Sequence, residues 1–393
     1  MNNRWILFPV LCGVSAVLST CARVQVTQRL QYHTSPEPHR LVAGLPPKSL
    51  ELISEPPQGL ALPDFKSQKP LFAKWASPLA ESGYLWIALD RTGRDGPYDR
   101  LFIDSNGNGR LNDETAEAAR STGTTWARFG PVKVAFAAKE QPVTCHLNFH
   151  FTGGNESPHL SVISGGWYEG TVTIGRKEKR YVLLDQNANG TFNDRSIDFK
   201  DCDLIQIAEE GKPDICLVGD FIGVDATLYR LEVARDGVEM NLSPAQGIRF
   251  GTVKQQQEMT ELVAGGENGM LTLNLKKGRG KLPVGKYRVY QWVIERKDGT
   301  GDQWSLKGWS MGNPDVFEIS PGSRASLALG EPILSGVDVR KTESGEYTIA
   351  HRFRGRSGEQ IQLSKNGAGL RPPSIAIRNA DGSYDRTFTF EFG

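Results

Sequence analysis

The sequence predicts a mainly β protein: β-sandwich-like domains in series, with a duplicated strand–loop unit. Three observations carry this. Short runs rich in β-branched and aromatic residues recur along the chain, cut by Gly, Asn and Asp. Helical periodicity is scarce, with Asp113–Arg120 and Glu258–Val263 as the only helical candidates. One motif occurs twice: Leu101-Phe-Ile-Asp-Ser-Asn-Gly-Asn-Gly-Arg-Leu-Asn-Asp113 aligns with Val182-Leu-Leu-Asp-Gln-Asn-Ala-Asn-Gly-Thr-Phe-Asn-Asp194, at a constant offset of 81 residues.

The elements follow in chain order. Residues 1–22 read as a secretory signal, with Arg4 as its positive region, a 13-residue apolar run from Ile6 to Leu18, and small residues from Ser19 to Ala22. The expectation is an exported protein. Leu18-Ser-Thr-Cys21 resembles the bacterial lipobox, which implies lipidation of Cys21 and attachment to the outer face of a membrane. Thr20 stands where that pattern prefers Gly, Ala or Ser. Cleavage after Ala22 is the alternative and gives a periplasmic or extracellular protein. No later stretch reaches 18 uncharged apolar residues, so membrane contact is expected only through the lipid. Lys and Arg number 46 against 45 Asp and Glu, a balance that argues against a nucleic-acid partner held by a basic face.

Residues 23–40 are Pro-containing and read as a tether. A duplicated β domain is expected over 41–210, a β-sandwich over 213–325 and a C-terminal β domain over 326–393. The strand signals begin at Tyr84–Leu89 and Leu101–Ile103 and continue through Val132–Phe136, Val143–Phe151, Thr171–Ile174 and Tyr181–Leu184. Those of the later domains are Leu228–Val233, Met270–Leu275, Tyr287–Ile294, Val316–Ile319, Tyr347–Phe353, Ile361–Leu363 and Thr387–Phe392.

The repeated loops carry the chemistry. Asp104-x-Asn106-x-Asn108-Gly109 and Asp185-x-Asn187-x-Asn189-Gly190 place oxygen side chains at positions 1, 3 and 5 and a turn-permitting Gly at position 6. The loops resemble the EF-hand-like DxDxDG family. By that resemblance Asp104, Asn106, Asn108, the Arg110 carbonyl and Asp113 would hold one Ca²⁺. Asp185, Asn187, Asn189, the Thr191 carbonyl and Asp194 would hold another. Position 12 is Thr115 or Ser196 where an EF-hand has Glu, and Asn fills positions 3 and 5; with only two carboxylates per loop the expected binding is weak and structural. Metal-free Asx turns are the competing reading.

Other features are less specific. Cys145 lies on an alternating apolar run from Val143 to Phe151 and is expected to be an inert buried thiol. Cys202 and Cys216 are close enough in sequence for a disulfide, with other pairings or none as alternatives. His146 and His150 share a strand face but stand roughly 13 Å apart, too far to chelate one metal. Arg352, Arg354 and Arg356 read as a solvated strand face, with an anionic partner as the alternative. Trp167 and the set Trp292, Trp304 and Trp309 are candidate sugar platforms or core residues.

Lys281-Leu-Pro-Val-Gly-Lys-Tyr-Arg-Val289 resembles the LPxGxYxV strand of transthyretin-like and carboxypeptidase-regulatory-like sandwiches, in which the aromatic enters the core. The order of leader, paired DxNxNG units, LPxGxY strand and closing Phe-Glu-Phe-Gly393 resembles uncharacterised exported bacterial β-sandwich proteins. That resemblance brings no activity with it. The leading expectation is a non-catalytic envelope scaffold or binding module, whose partner is a glycan or another envelope protein. Carbohydrate binding through exposed Trp and Tyr is the second expectation. An exported hydrolase without a recognisable motif is the third.

Overall fold

The computed structural model describes residues 26–93, 96–136, 143–153, 157–174, 176–208, 216–256, 258–310, 315–342 and 344–391. The leader and Cys21 lie outside them. The described residues form antiparallel sheets almost throughout, with one 3₁₀ turn among them at Phe199–Asp201. No helix of the described residues is long and apolar enough to cross a membrane.

Three sandwiches account for the three main cores. In the first, the sheet of Leu71–Ala76, Tyr84–Asp90, Arg100–Ile103 and Glu117–Ala118 faces a five-stranded sheet. That second sheet runs Lys48–Leu50, His159–Ser164, Val143–Thr152, Trp126–Phe136, Ser121–Thr122. Alternation builds this core: Cys145, Leu147, Phe149 and Phe151 are buried at period two, as expected. On the neighbouring strand the buried phase slips between Phe129 and Val132, where the register shifts opposite Leu147 and Phe149.

The second sandwich sets Gln31–Thr34, Gly166–Ile174, Lys177–Leu184, Leu204–Ala208 and Cys216–Leu217 against Val26–Arg29, Glu239–Pro244, Thr227–Val233 and Phe221–Val224. It repeats the topology of the first. In both, the opening strand pairs antiparallel with the closing one: Lys48–Leu50 with His159–Ser164, and Val26–Arg29 with Glu239–Pro244. The first sandwich is therefore inserted into the second, between Gln31–Thr34 and Gly166–Ile174.

The third sandwich packs Arg279–Pro283, Phe250–Lys254 and Arg324–Ser326 against a large sheet centred on Gly285–Lys297 and Gln303–Trp309. Tyr287 is fully buried there and donates to the Pro283 carbonyl at 2.9 Å, which fits the aromatic expected of the LPxGxY segment. A separate hairpin, Ser374–Arg378 with Asp385–Thr389, closes the described chain.

Several expectations change. The tether over 23–40 contributes two strands to the second sandwich. The boundary near 210–213 falls inside that sandwich, and the one near 326 falls inside the third, whose large sheet continues to Lys365. Neither helical candidate is a helix. Ala118 pairs with Arg100, so sheet pairing overrides a propensity too short to nucleate. In Met259–Gly266 a register shift between Met259 and Glu261 stretches the buried spacing to Met259 and Leu262, imitating a helical period.

The Cys202–Cys216 bridge is not formed. The Cys202 thiol is free and donates to the Ser196 and Asp198 carbonyls at 3.1 and 3.4 Å. It packs with Leu204 and Leu217 on one face of the sheet, whereas Cys216 packs with Ile205 on the other.

Candidate functional site

The two loops adopt one conformation. Each opens with an Asp whose carboxylate accepts two backbone N–H bonds, from Asn108 and Gly109 at 3.0 and 2.9 Å and from Asn189 and Gly190 at 3.1 and 2.8 Å. Each has left-handed backbone at position 4 (Gly107, Ala188) and position 6 (Gly109, Gly190). In each, the position-5 Asn donates to the position-10 Asp: Asn108 to Asp113 at 2.8 Å and Asn189 to Asp194 at 2.7 Å. The Asn oxygens accept the backbone N–H of Arg110 and Thr191, both at 2.8 Å.

The donor set is of the right chemistry for a hard cation, because every motif side chain carries an oxygen. The amide orientation departs from that role: Asn108 and Asn189 turn N–H groups, not oxygens, toward the carboxylate. Among the described residues no group of three or more His, Cys, Asp and Glu converges as a metal site.

The copies differ in surroundings. Asp113 is 40% exposed, with Arg110 at 3.9 Å. In the first loop, Asn106 accepts from the Asn108 N–H, and Glu114 accepts from the Ser105 N–H and hydroxyl. The second loop is more buried: Asp185, Ala188 and Thr191 are buried, and Asn187, Asn189 and Asp194 are half-buried. Asn187 donates to Asp194 at 3.0 Å, and the Thr191 hydroxyl lies 2.7 Å from Asp194. Behind it sits Asp203, fully buried, accepting the Asp194 and Gln186 N–H groups at 2.7 and 3.2 Å. Burial pushes Asp185 up to about 7, against the pull of the Gly190 and Asn189 N–H groups. Burial also raises Asp203, and the Asp185 and Asp194 charges add to that. Nothing in the sequence marked Asp203. The residue 81 positions earlier is Thr122, so the repeat gives no hint.

The segment from Asp185 to Asp203 touches all three sandwiches. Ala188 is buried in the first core, and its carbonyl accepts the Trp75 indole N–H at 2.6 Å. Phe192 is buried in the second core. Asp198 accepts from Arg288 of the third at 2.8 Å, and Phe199 meets Tyr290 with ring centroids 5.7 Å apart.

A cleft of about 1600 Å³ opens at this junction. One side is built by Lys48 of the first sandwich with Asn187, Asn189, Asp194 and Asp201 of the loop. The other is the outer face of the third sandwich's large sheet, with Glu261, Gln291, Lys307 and Trp309. Three lysines (Lys48, Lys200, Lys307) balance three carboxylates (Asp194, Asp201, Glu261), so the lining carries no formal net charge. Burial holds the Lys48 ammonium below the ordinary lysine range, opposed by the charges of Asp185, Asp201 and Asp194.

The other expected side chains separate. Trp309 lines the cleft, while Trp292 is fully buried and donates to Glu359 at 3.0 Å. Trp304 donates to Asp298, and Trp167 is flanked by His33 and His39. His146 lies 3.3 Å from the Tyr32 hydroxyl. Arg352 and Arg354 are exposed on their strand, and Arg356 is exposed just past its end. Comparison with known proteins gives no match: no family model, curated protein or solved structure is similar to this chain.

Proposed function

We propose that the protein is a non-catalytic exported binding module whose ligand occupies the cleft between the sandwiches. The carrying observation is the lining: amides and equal numbers of opposite charges beside Trp309, with no net charge. Such a surface suits a neutral, hydroxyl-rich ligand. Carboxamides and carboxylates exchange hydrogen bonds with hydroxyls, and an aromatic face covers an apolar sugar face. A carbohydrate is the ligand class that meets both requirements. Binding of neutral oligosaccharides, read by glycan array and then calorimetry, tests this. Trp309→Ala and Gln291→Ala are expected to weaken it at least tenfold without changing the melting temperature. Equal binding by parent and both variants, or none by the parent, sinks the reading.

The loops enter this proposal as calcium-stabilised elements, and lipidation of Cys21 as the means of envelope attachment. With two motif carboxylates per loop, affinity belongs in the ~10⁻⁴–10⁻³ M range. A Kd of about 0.1 mM at about 1 mM calcium stabilises one site by roughly 1.4 kcal/mol. Millimolar Ca²⁺ is then expected to raise the melting temperature modestly. Asp104→Ala or Asp185→Ala reduces the rise and the double variant abolishes it. Identical melts in calcium and in chelator would leave both loops as Asx turns.

A further inference from the structure

The large sheet of the third sandwich ends in a strand whose outer edge pairs with no other strand among the described residues. Leu334–Lys341 is paired on one side only, to Tyr347–Arg354, and all eight of its residues are exposed. Tyr347–Arg354 joins the rest of the sheet through a single residue pair, Arg354 with Gln360, so the two strands project as an arm. Leu334, Val337, Val339 and Tyr347 on this arm are 48–63% exposed. A lone two-stranded hairpin is marginal in water, and apolar side chains concentrated on one mark an interaction surface.

The hydrogen-bond phase fixes which backbone groups are free. Thr342 N–H donates to the Glu346 carbonyl, and pairing steps back from there by twos. Gly336, Asp338 and Arg340 thus bond toward Tyr347–Arg354. The N–H and C=O groups of Ser335, Val337, Val339 and Lys341 point away from it.

We propose that this edge pairs with a second copy of the chain, antiparallel about a two-fold axis at Val339. Val339 then exchanges backbone bonds with Val339 of the second copy, and Val337 with its Lys341. On the opposite face Asp338 stands against Arg340 of the second copy, twice over, because the interface is isologous. Opposite charges directly across a strand pair are favourable and like charges are not. That selects the register. An axis at Asp338 sets two carboxylates face to face, and an axis at Val337 leaves Asp338 opposite Gly336. The product is a continuous four-stranded sheet with no free strand edge at its centre, which closes as a dimer and does not propagate.

Light scattering on the full chain is expected to give the dimer mass at tens of micromolar. Val339→Pro removes an edge N–H that has no intrachain bond and is expected to halve the mass while leaving the melting temperature unchanged. Under mild oxidation Val339→Cys is expected to form a disulfide-linked dimer well above the parent's background. Val337→Cys is not, since two Val337 residues lie four positions apart in this register. Asp338→Arg alone and Arg340→Asp alone are each expected to weaken the dimer, because each sets like charges across the two-fold axis. A monomeric parent, or cross-linking of Val337→Cys equal to that of Val339→Cys, overturns the proposal.

Discussion

Trp75 shows how one side chain serves two domains. Its ring fills the core of the first sandwich, and its indole N–H ends on the carbonyl of Ala188, a loop residue that the chain reaches more than a hundred residues later. Trp75→Phe keeps most of the ring but leaves a buried carbonyl without its donor. The expected loss is about 1–3 kcal/mol, read by urea denaturation. His146, against Tyr32, gives a pH signature. Burial and the nearby Lys133 hold its imidazole below the ordinary range. The unfolded chain therefore binds the proton more readily, and the stability that His146 contributes above pH ~6.5 is lost as pH falls through the folded value. Asp185 and Asp203, with raised values, act with the opposite sign over an overlapping range. The informative quantity is thus the difference between parent and His146→Gln. Thermal melts from pH 7.5 to 5 are expected to show a smaller acid-side fall for the variant.

At the scale of the element, the duplicated loop invites a matched comparison. Gly109 and Gly190 share left-handed backbone, with φ of 75° and 92°. A methyl group at Gly109 meets nothing within 4 Å, whereas at Gly190 it lies 3.3 Å from Leu79 and 3.4 Å from the Cys145 sulfur. Gly109→Ala is expected to cost about 1 kcal/mol from backbone strain alone, and Gly190→Ala clearly more, by denaturant midpoints. Both loops were legible in the sequence because their residues recur at a fixed offset. Strands were legible too, wherever burial on one face wrote itself as alternation, as from Cys145 to Phe151. What sits behind the second loop was not legible. Asp203 and Lys48 reach it from other elements, and no local pattern encodes a meeting across such distances. The helical period at Glu258–Val263 has a similar origin, since a bulge between Met259 and Glu261 breaks the strand's alternation.

Across the whole molecule, sheet membership was the least legible property. Strand composition announces a strand but not its partner, and in the first two sandwiches the first strand pairs with the last. The nested arrangement makes a firm prediction. The inserted sandwich supplies its own core apart from Ala188, and its terminal strands are hydrogen-bonded neighbours. A fragment of residues 48–164 is expected to fold alone, with a cooperative melt and a strand-dominated circular-dichroism spectrum. It should be less stable than in the full chain, for want of Ala188. Removing residues 26–40 is expected to spare this sandwich and loosen the second, read as lost amide-exchange protection along Glu239–Pro244.

Nesting also sets a timetable. A chain made from its N-terminus produces Val26–Arg29 and Gln31–Thr34 first, yet their partners Glu239–Pro244 and Gly166–Ile174 emerge only later. Meanwhile the inserted sandwich receives all its strands by Ser164 and can close while the earlier pair waits. Closing loops this long is slow. The newborn protein therefore passes through a stage with one finished domain and a loose ribbon in front of it, whose backbone is open to any neighbouring strand. Val26–Arg29 leaves that stage only when Glu239–Pro244 has been made and released, so a chain arrested before then keeps this strand open to other partners.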